Sequence, residues 1–414
     1  MKQTLWTRNF SFLIAATAFG CIGNIAGSFA LSFLVFDETG STFASALVIA
    51  IQLIPNFLIP LVIAPWMDRL PRKPFLMFGD LINGILYALM GVYLLFFDFS
   101  YLGYLGYSLI LATLGSLDEL AYNSIFPKVI PNGMEQKGYA VSSMLYPILR
   151  VIMLPLAAVL MDVVGMPWLF IGQGIFSICA AFLEYQIQLT EEVRMNGNGF
   201  SFKLWKNDIL EVLHYLKTER GLQAIYSYMA VSNGVAVGYT PVLVAFFRTT
   251  PGMSAALYSL FSVAEFLGRT IGGFVQYRVQ IPAKKKFHVT FWIYIIYELM
   301  DICLLWLPYP LMLTNRVITG FLGTNSATLR VAAVQTYIPD QMRARVNAFE
   351  NMLIMAIGSI GSVLVGAIGE ILDSRLCMTL CSAFALLVCL CTIFRRRTDV
   401  KNIYETEEPL RETI

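Results

Sequence analysis

Charged residues are scarce in this sequence, and their scarcity excludes most soluble folds. Only 14% of the 414 residues are Asp, Glu, Lys or Arg, whereas soluble domains average about 25% charged residues. Apolar residues make up 57% of the chain, and the mean hydropathy is +0.67. This composition is typical of an integral membrane protein that lies in a lipid bilayer, and no nucleic-acid partner is expected.

The sequence also lacks the patterns of a metal, redox or nucleotide site. It has two histidines, His214 and His288, and neither has an obvious partner. The seven cysteines all lie in apolar stretches, with no Cys-x-x-Cys and no zinc-like spacing, and we interpret them as packing residues. No segment resembles a Walker nucleotide loop. The sequence therefore predicts no enzyme, no cofactor, no metal site and no use of ATP within the chain.

Long apolar segments dominate what is present. About 20 apolar residues are needed to cross a bilayer as a helix. The first segment is too long for the apolar region of a cleaved signal peptide, so we interpret it as a membrane helix. The sequence predicts twelve spanning helices, at about 10–36, 43–65, 75–97, 101–124, 138–161, 167–189, 221–247, 253–276, 287–307, 310–334, 345–371 and 376–394.

The basic residues are distributed very unevenly between the two sides of these spans. Of the 29 Lys and Arg residues, 23 lie on the side of both termini and two, Arg248 and Arg375, on the opposite side. Basic residues accumulate in cytoplasmic loops of membrane proteins. The distribution predicts a multi-pass protein of the cell membrane with both termini in the cytoplasm.

A short polar loop, residues 65–74, separates predicted helices 2 and 3. Its basic residues Arg69, Arg72 and Lys73 are explained by the charge bias alone, but Asp68 is not. A carboxylate at the end of a helix is repelled by the helix dipole, at a cost of about 0.3–1 kcal/mol. Asp68 is therefore expected to face a positive group, such as Arg69, Arg72 or the N-terminus of a neighbouring helix. We predict the cytoplasmic start of helix 11, around Arg345–Asn347.

The residues Asp68-Arg69-x-x-Arg72-Lys73 resemble the loop between helices 2 and 3 of the major facilitator superfamily. The pattern there is Gly-x-x-x-Asp-Arg-x-Gly-Arg-Arg/Lys, and this chain has Ala64 and Pro71 in place of the glycines. The resemblance implies an all-α membrane protein of twelve helices in two pseudo-symmetric six-helix bundles. It also implies that Asp68, Arg69, Arg72 and Lys73 act as a conformational gate.

An internal repeat supports two bundles. Ile130-Pro131-Asn132-Gly133-Met134 recurs 208 residues later as Ile338-Pro339-Asp340-Gln341-Met342. Parallel repeats of this kind occur in transporters. The predicted domains are an N-terminal bundle (1–189), a cytoplasmic linker with an amphipathic helix over Phe202–Leu216 (190–220), a C-terminal bundle (221–394) and a cytoplasmic tail (395–414).

Charged residues inside the spans are candidates for function, because each costs several kcal/mol in the bilayer unless it is paired or hydrated. Helix position puts Arg150 and Glu265 near mid-membrane, with Arg269 on the same face as Glu265 and one turn nearer the cytoplasm. Glu298 and Asp301 come level with Arg316, and Arg330 comes level with Glu350. Glu184 is expected to reach water at the end of helix 6. These pairs are either static links between helices or parts of a proton-coupling mechanism. The candidates for proton coupling are Glu265, Arg150, Arg269, Asp118 and Glu298.

Further expectations come from the resemblance. In the superfamily, helices 5 and 8 pack at the interface of the bundles, so Arg150 and Glu265 are predicted to form an ion pair that breaks during transport. Helices 1, 4, 7 and 10 line the substrate cavity. Besides Asp118, the polar candidates on these helices are Asn24, Ser28, Asn123, Asn233, Tyr239 and Asn325.

Two segments resemble drug exporters of the superfamily. Pro155 and Ala158 resemble part of an antiporter segment on helix 5, and the loop Pro339–Val346 resembles that of macrolide-efflux proteins and the enterobactin exporter. The sequence predicts a monomeric secondary transporter that couples protons to the export of small amphipathic compounds. A lysophospholipid or metabolite transporter is the alternative. A channel is disfavoured by the missing pore loop, and a membrane-embedded enzyme by the missing catalytic constellation.

Overall fold

The computed structural model describes residues 4–67, 71–131, 134–189, 202–279 and 281–406, which form helices and no strand. A 3₁₀ turn, Leu304–Trp306, follows α10, and a π turn, Leu390–Phe394, follows α13. The helices are α1 (Arg8–Thr39), α2 (Thr42–Met67), α3 (Arg72–Phe96), α4 (Tyr101–Val129), α5 (Glu135–Val164), α6 (Met166–Tyr185), α7 (Phe202–Thr218), α8 (Arg220–Thr249), α9 (Ala255–Arg278), α10 (Ala283–Cys303), α11 (Tyr309–Tyr337), α12 (Asp340–Ile371), α13 (Ser374–Cys389) and α14 (Arg397–Glu405).

Twelve of these helices correspond to the predicted spans, with α1–α6 as spans 1–6 and α8–α13 as spans 7–12. In the described ranges, nine of them are both long and apolar enough to cross a membrane. The other three, α4, α9 and α11, have 29, 24 and 29 residues and contain acidic or basic side chains. Helices with such side chains span a membrane when those side chains face the protein interior. The predicted all-α, twelve-helix fold is confirmed.

Local sequence explains several helix ends. The side-chain oxygens of Thr7 and Ser254 accept hydrogen bonds from the backbone N–H groups of Phe10 and Leu257, at 3.3 Å each. Such N-caps satisfy donors that a helix start leaves unpaired. At the end of α1, Gly40 has φ of +63°, a left-handed conformation that favours glycine.

The first compact unit, here unit 1, consists of Met1–Ser41 and Ile51–Phe200. In it α6 packs on α1 and α3, α1 packs on α5, and α3 packs on α4. Glycines allow α3 and α6 to approach closely, because a Cβ on Gly84 would lie 2.8 Å from the carbonyl oxygen of Gly174. Small residues at such contacts are typical of helix packing in membranes.

The second compact unit, unit 2, consists of Thr42–Ala50 and Ser201–Ile414. Its main helix pairs are α9 with α11, α8 with α12 and α13, and α10 with α11 and α13. The start of α2 belongs to this unit because the Thr42 hydroxyl donates to the carbonyl oxygen of Gly366 at 3.0 Å. The pairs α8–α12, α10–α13 and α10–α11 match α1–α5, α3–α6 and α3–α4 of unit 1, as expected for an internal repeat.

The described residues of the repeated Ile-Pro segment share several features in the two units. Ile130 and Ile338 are buried, extended residues that end α4 and α11. In each copy the methionine N–H donates to the proline carbonyl oxygen at 3.0 Å, from Met134 to Pro131 and from Met342 to Pro339. The repeat read from the sequence therefore corresponds to a repeated turn.

The amphipathic stretch of the predicted linker forms α7, which packs on unit 2. Val212 and Leu216 are 1% and 6% exposed and join a core cluster with residues of α8, α10 and α14. An ion pair of 2.7 Å between Glu211 and Arg345 also links α7 to α12. The linker residues 190–201 lie outside the described ranges.

The predicted cytoplasmic tail contains a further helix that the sequence did not predict. Residues 397–405 form α14, and Val400, Ile403 and Tyr404 are at most 1% exposed. The Tyr404 hydroxyl lies 3.0 Å from the hydroxyl of Tyr294 on α10. The three buried residues recur at helical spacing, so α14 buries one apolar face and is part of the core of unit 2.

Candidate functional site

A close contact between α9 and α11 positions the charged residues of unit 2. A Cβ on Gly268 would lie 2.0 Å from the carbonyl oxygen of Val317, and one on Gly320 would lie 2.1 Å from the carbonyl oxygen of Glu265. Neither position accepts a side chain, so the two backbones are in direct contact. This contact holds the side chain of Glu265 on α9 beside Arg316 on α11.

Arg316 is the central residue of this region and is only 4% exposed. Its Nη1 lies 3.4 Å from Oδ1 of Asp301 on α10 and 3.8 Å from Oε2 of Glu265. Its guanidinium carbon lies 4.7 Å from the centre of the Phe261 ring, a cation–π distance. One buried guanidinium therefore joins three helices.

Glu265 lies between two bases. Its Oε1 accepts hydrogen bonds from Arg269 Nη2 at 2.6 Å and from Nε at 3.1 Å, while its Oε2 faces Arg316. The side chain of Glu265 is 26% exposed and that of Arg269 is 55% exposed. Glu265 therefore connects a buried base to an accessible one.

Glu298 lies one turn before Asp301 on α10 and is 2% exposed. Its Oε1 accepts hydrogen bonds from the hydroxyls of Tyr228 at 2.9 Å and Ser232 at 3.1 Å, both on α8. In the described part of the chain no base forms an ion pair with Glu298. Two neutral donors thus replace the cation that a buried carboxylate normally requires.

We call Glu265, Arg269, Glu298, Asp301 and Arg316 the charge cluster. It has three carboxyl groups and two guanidinium groups, so full ionisation would leave one negative charge uncompensated. Like charges in one site disfavour simultaneous ionisation. A group of this composition can bind and release a proton while its arginines stay charged.

The α9–α11 contact makes a direct prediction. In Gly268→Ala the new methyl group would meet the Val317 carbonyl, and we expect a loss of about 1–3 kcal/mol in stability. The thermal midpoint of detergent-purified protein measures this loss. Gly273→Ala is the matched control, since nothing lies within 4 Å of a Cβ there. Equal midpoints for the two variants would contradict the described contact.

Comparison with known families identifies the chain. The model of the Major Facilitator Superfamily matches residues 10–297 and 224–413. The chain belongs to the major facilitator superfamily. No curated protein sequence matches it.

Solved structures with similar folds are transporters of several kinds. A bacterial homologue of the human lysosomal transporter Spinster, inward-facing and unoccupied, has a TM-score of 0.62 at 16% identity, covering 96% of this chain and 97% of the other. The nucleoside transporter NupG, as a single-residue variant, has a TM-score of 0.67 at 12% identity and coverages of 94% and 100%. A variant peptide transporter, POT, in complex with alafosfalin has a TM-score of 0.69 at 8% identity and coverages of 97% for both chains. Identities this low establish a shared fold and no shared substrate.

In this superfamily member the predicted partners Arg150 and Glu265 lie in different units. Arg150 belongs to unit 1, where its Nη1 lies 3.2 Å from the hydroxyl of Tyr146, one turn earlier on α5. The contacts of Glu265 described above are with Arg269 and Arg316 of unit 2. The Arg150–Glu265 pair stays a prediction.

The loop motif is described only in part. Asp68 and Arg69 lie outside the described residues, and so does the predicted contact of Asp68 with the start of α12. Arg72 begins α3, and Lys73 Nζ donates to the carbonyl oxygen of Tyr185 at 2.7 Å. The gating role of the motif stays a prediction.

The polar cavity candidates of unit 1 are accessible. Asn24 and Ser28 are exposed and lie one turn apart on α1, although Gly23, Ile25 and Phe29 beside them are buried. Asn123 is exposed on α4. This exposure is compatible with an open cavity, and the role of the three residues stays a prediction.

The cavity candidates of unit 2 are mostly packed inside it. The Tyr239 hydroxyl bonds the Ser382 hydroxyl, and Asn325, 7% exposed, donates to the carbonyl oxygen of Phe321 at 2.8 Å. Asn233 is half-buried and donates to the carbonyl oxygen of Met229 at 2.7 Å. Both Tyr239 and Asn325 are buried within unit 2 and bonded to it, and the cavity role of the three residues stays a prediction.

Two other predictions from helix depth have different outcomes. Arg330 and Glu350 lie near enough for the charge of Arg330 to act on Glu350, with Tyr226 beside both. Glu184, however, is 3% exposed, so the prediction that it reaches water is wrong. Depth alone does not report how a neighbouring helix covers a side chain.

The sequence interpretation missed three polar residues at the charge cluster. Tyr228 and Ser232 bond Glu298, and Tyr297 lies where the charges of Asp301, Glu265 and Arg316 all act on its hydroxyl. Tyr228 and Ser232 are four residues apart on one helix face. That spacing was visible in the sequence, but nothing in it indicated the helix they would face.

Proposed function

We propose that this transporter couples the movement of protons to the export of small amphipathic compounds by alternating access. As a superfamily member it transports small molecules across a membrane and is not an enzyme. The charge cluster carries the proposal of proton coupling, because its carboxyl groups outnumber its guanidinium groups inside membrane helices. Such groups at membrane depth are expensive and mark ion or proton pathways.

Glu265 is the proposed proton carrier. Its contact with the half-exposed Arg269 connects it to the surface of unit 2, and its contact with Arg316 connects it to the buried part of the cluster. A proton bound to Glu265 removes one negative charge and weakens its hold on both bases. Asp301 then remains the partner of Arg316. The cluster can thus change its connections without leaving its central base unpaired.

Arg150 has a proposed role in the same cycle. We infer that it pairs with Glu265 in one access state and is released when Glu265 is protonated. Because this partner is present in only one access state, Glu265 would bind a proton with a different affinity in each state. Coupling requires that difference.

The orientation of the chain in the membrane is also part of the proposal. The excess of basic residues on the side of the termini supports cytoplasmic termini in the cell membrane. A cysteine introduced in place of Asn207 should then react with an impermeant maleimide only from the cytoplasmic side. Labelling from outside would reverse the orientation.

The loop motif is proposed to close the cytoplasmic side in one access state. Asp68→Asn removes the charge that would bind the start of α12, so we expect slower transport with normal membrane insertion. Transport at the wild-type rate would reduce the motif to a determinant of topology.

Transport in reconstituted vesicles tests the function as a whole. Vesicles with an imposed pH gradient are supplied with a labelled macrolide, a labelled lysophospholipid or a labelled nucleoside. We expect gradient-dependent movement of the macrolide. The nucleoside is included because the similar folds include a nucleoside transporter. Preference for the lysophospholipid or the nucleoside would replace the proposed substrate class. Equal flux with and without the gradient would make the protein a facilitator.

A further inference from the structure

Three carboxyl groups lie on packed helices of unit 1 that the proposed coupling does not use. Asp80 is on α3, Asp118 on α4 and Glu184 on α6, and α3 packs on both of the other helices. Asp118 lies against α3, since a Cβ on Gly79 would be 3.5 Å from its Oδ1. The charges of Asp80 and Asp118 both act on Glu184.

Glu184 is the decisive member of this group. It is 3% exposed, and its Oε2 has no hydrogen-bond partner among the described residues. Within the same part of the chain, Oδ1 of Asp118 and Oδ1 of Asn83, one turn after Gly79 on α3, also lack a donor. The three unsatisfied atoms are all acceptors. Buried acceptors without donors are rare and point to a missing donor or cation.

The other titratable groups near these three do not supply that donor. Cys21 of α1 faces Asp80, and Glu119 of α4 adds a further negative charge near Asp118. Lys73 lies at the start of α3 and donates to the carbonyl oxygen of Tyr185. In the described residues neither an ion pair nor a hydrogen bond joins a base to Asp80, Asp118 or Glu184.

We propose that Asp80, Asp118 and Glu184 form a proton-binding site in unit 1, separate from the charge cluster of unit 2. A proton on one carboxyl group turns an acceptor into a donor for its neighbour and removes part of the repulsion among them. In the described ranges no set of three His, Cys, Asp or Glu side chains has a metal-binding arrangement. The inference deepens the proposed proton coupling by adding a second site.

Infrared spectroscopy of the substrate-free, full-length protein in detergent tests the site. Protonated carboxyl groups absorb in a carbonyl band that carboxylates lack, and raising the pH from acidic to alkaline should remove it. The triple variant Asp80→Asn, Asp118→Asn, Glu184→Gln should lose the part of the band that these groups contribute. Asp162→Asn is the matched control, because Asp162 is exposed on α5 and should leave the band unchanged. A triple variant with the complete wild-type band would overturn the proposal.

A second measurement tests the site even if the triple variant fails to fold. Deprotonation leaves repelling charges buried, so the thermal midpoint of the wild type should fall as the pH rises through the range where the band disappears. The single variant Glu184→Gln should reduce this fall. An identical fall in Glu184→Gln and in wild type would count against the site.

The two proposals fail separately. Equal flux with and without a pH gradient, together with a band that the triple variant loses, would remove proton-coupled export and retain the site. Gradient-driven export together with an unchanged band in the triple variant would retain proton-coupled export and remove the site.

Discussion

Replacing Arg316 by alanine is expected to destabilise the protein by about 3–5 kcal/mol, the range measured when one partner of a buried ion pair is removed. Asp301, whose side chain is 3% exposed, would be left without its base, and Glu265 would lose its contact with Arg316. The yield of monodisperse protein and its thermal midpoint in detergent measure the effect.

Two further variants show whether charge causes the loss. Arg316→Ala combined with Asp301→Asn removes the unpaired carboxylate and should recover part of the stability, a coupling that independent sites would not show. Arg269→Ala should cost at most about 1 kcal/mol, because the Arg269 side chain is 55% exposed and exposed ion pairs contribute little. If Arg316→Ala were as stable as Arg269→Ala, Arg316 would not be the centre of the cluster.

Glu265→Gln is expected to abolish accumulation driven by a pH gradient while leaving passive exchange of substrate. Glutamine resembles the protonated side chain and cannot release a proton, so the cluster would be fixed in one charge state. The Arg316–Asp301 pair would remain, and we therefore expect normal folding. The measurement is uptake into reconstituted vesicles with the gradient, compared with exchange at equal pH on both sides.

Glu298→Gln is the matched variant for this experiment. Glu298 bonds only the hydroxyls of Tyr228 and Ser232 in the contacts described here, and glutamine can accept the same hydrogen bonds. If Glu265→Gln accumulates substrate normally and Glu298→Gln does not, the coupling carboxyl group is Glu298. Normal accumulation in both variants would remove the charge cluster from the coupling mechanism.

The fold could be predicted because spanning helices depend on local composition. Each needs only a sufficiently long apolar segment, and the bilayer restricts spanning segments to helices or closed barrels. The repeat at Ile130 and Ile338 was equally accessible, since Ile, Pro and Met recur at the same spacing and the methionine N–H bonds the proline carbonyl oxygen in both copies. The helix α14 was missed because its three buried residues lie in a polar segment.

The candidate site could be predicted only in part. Charged residues inside apolar spans can be recognised directly in the sequence, and helix depth placed Asp301 level with Arg316. The rest depends on rotation about each helix axis and on which helix lies beside it. Those factors bury Glu184 and Asn325, and they give Glu298 hydroxyl partners in place of a base. The glycines at 268 and 320 determine this packing, but glycine is common in membrane helices and carries little information alone.

The position of α14 has a consequence for biosynthesis. Arg396, directly before α14, donates through Nη1 to the carbonyl oxygen of Arg220 at 3.2 Å, across 176 residues of sequence. At about 5–20 residues per second, a ribosome needs roughly 9–35 s to make that stretch. Throughout this interval the apolar surface at the start of α8, including Leu222 and Ile225, lacks the helix that finally covers it. Unit 2 is therefore exposed to chaperones and membrane proteases for longer than a bundle whose packed helices are neighbours in sequence. Substitutions in α14 should lower the amount of protein in the membrane more than the activity of each molecule.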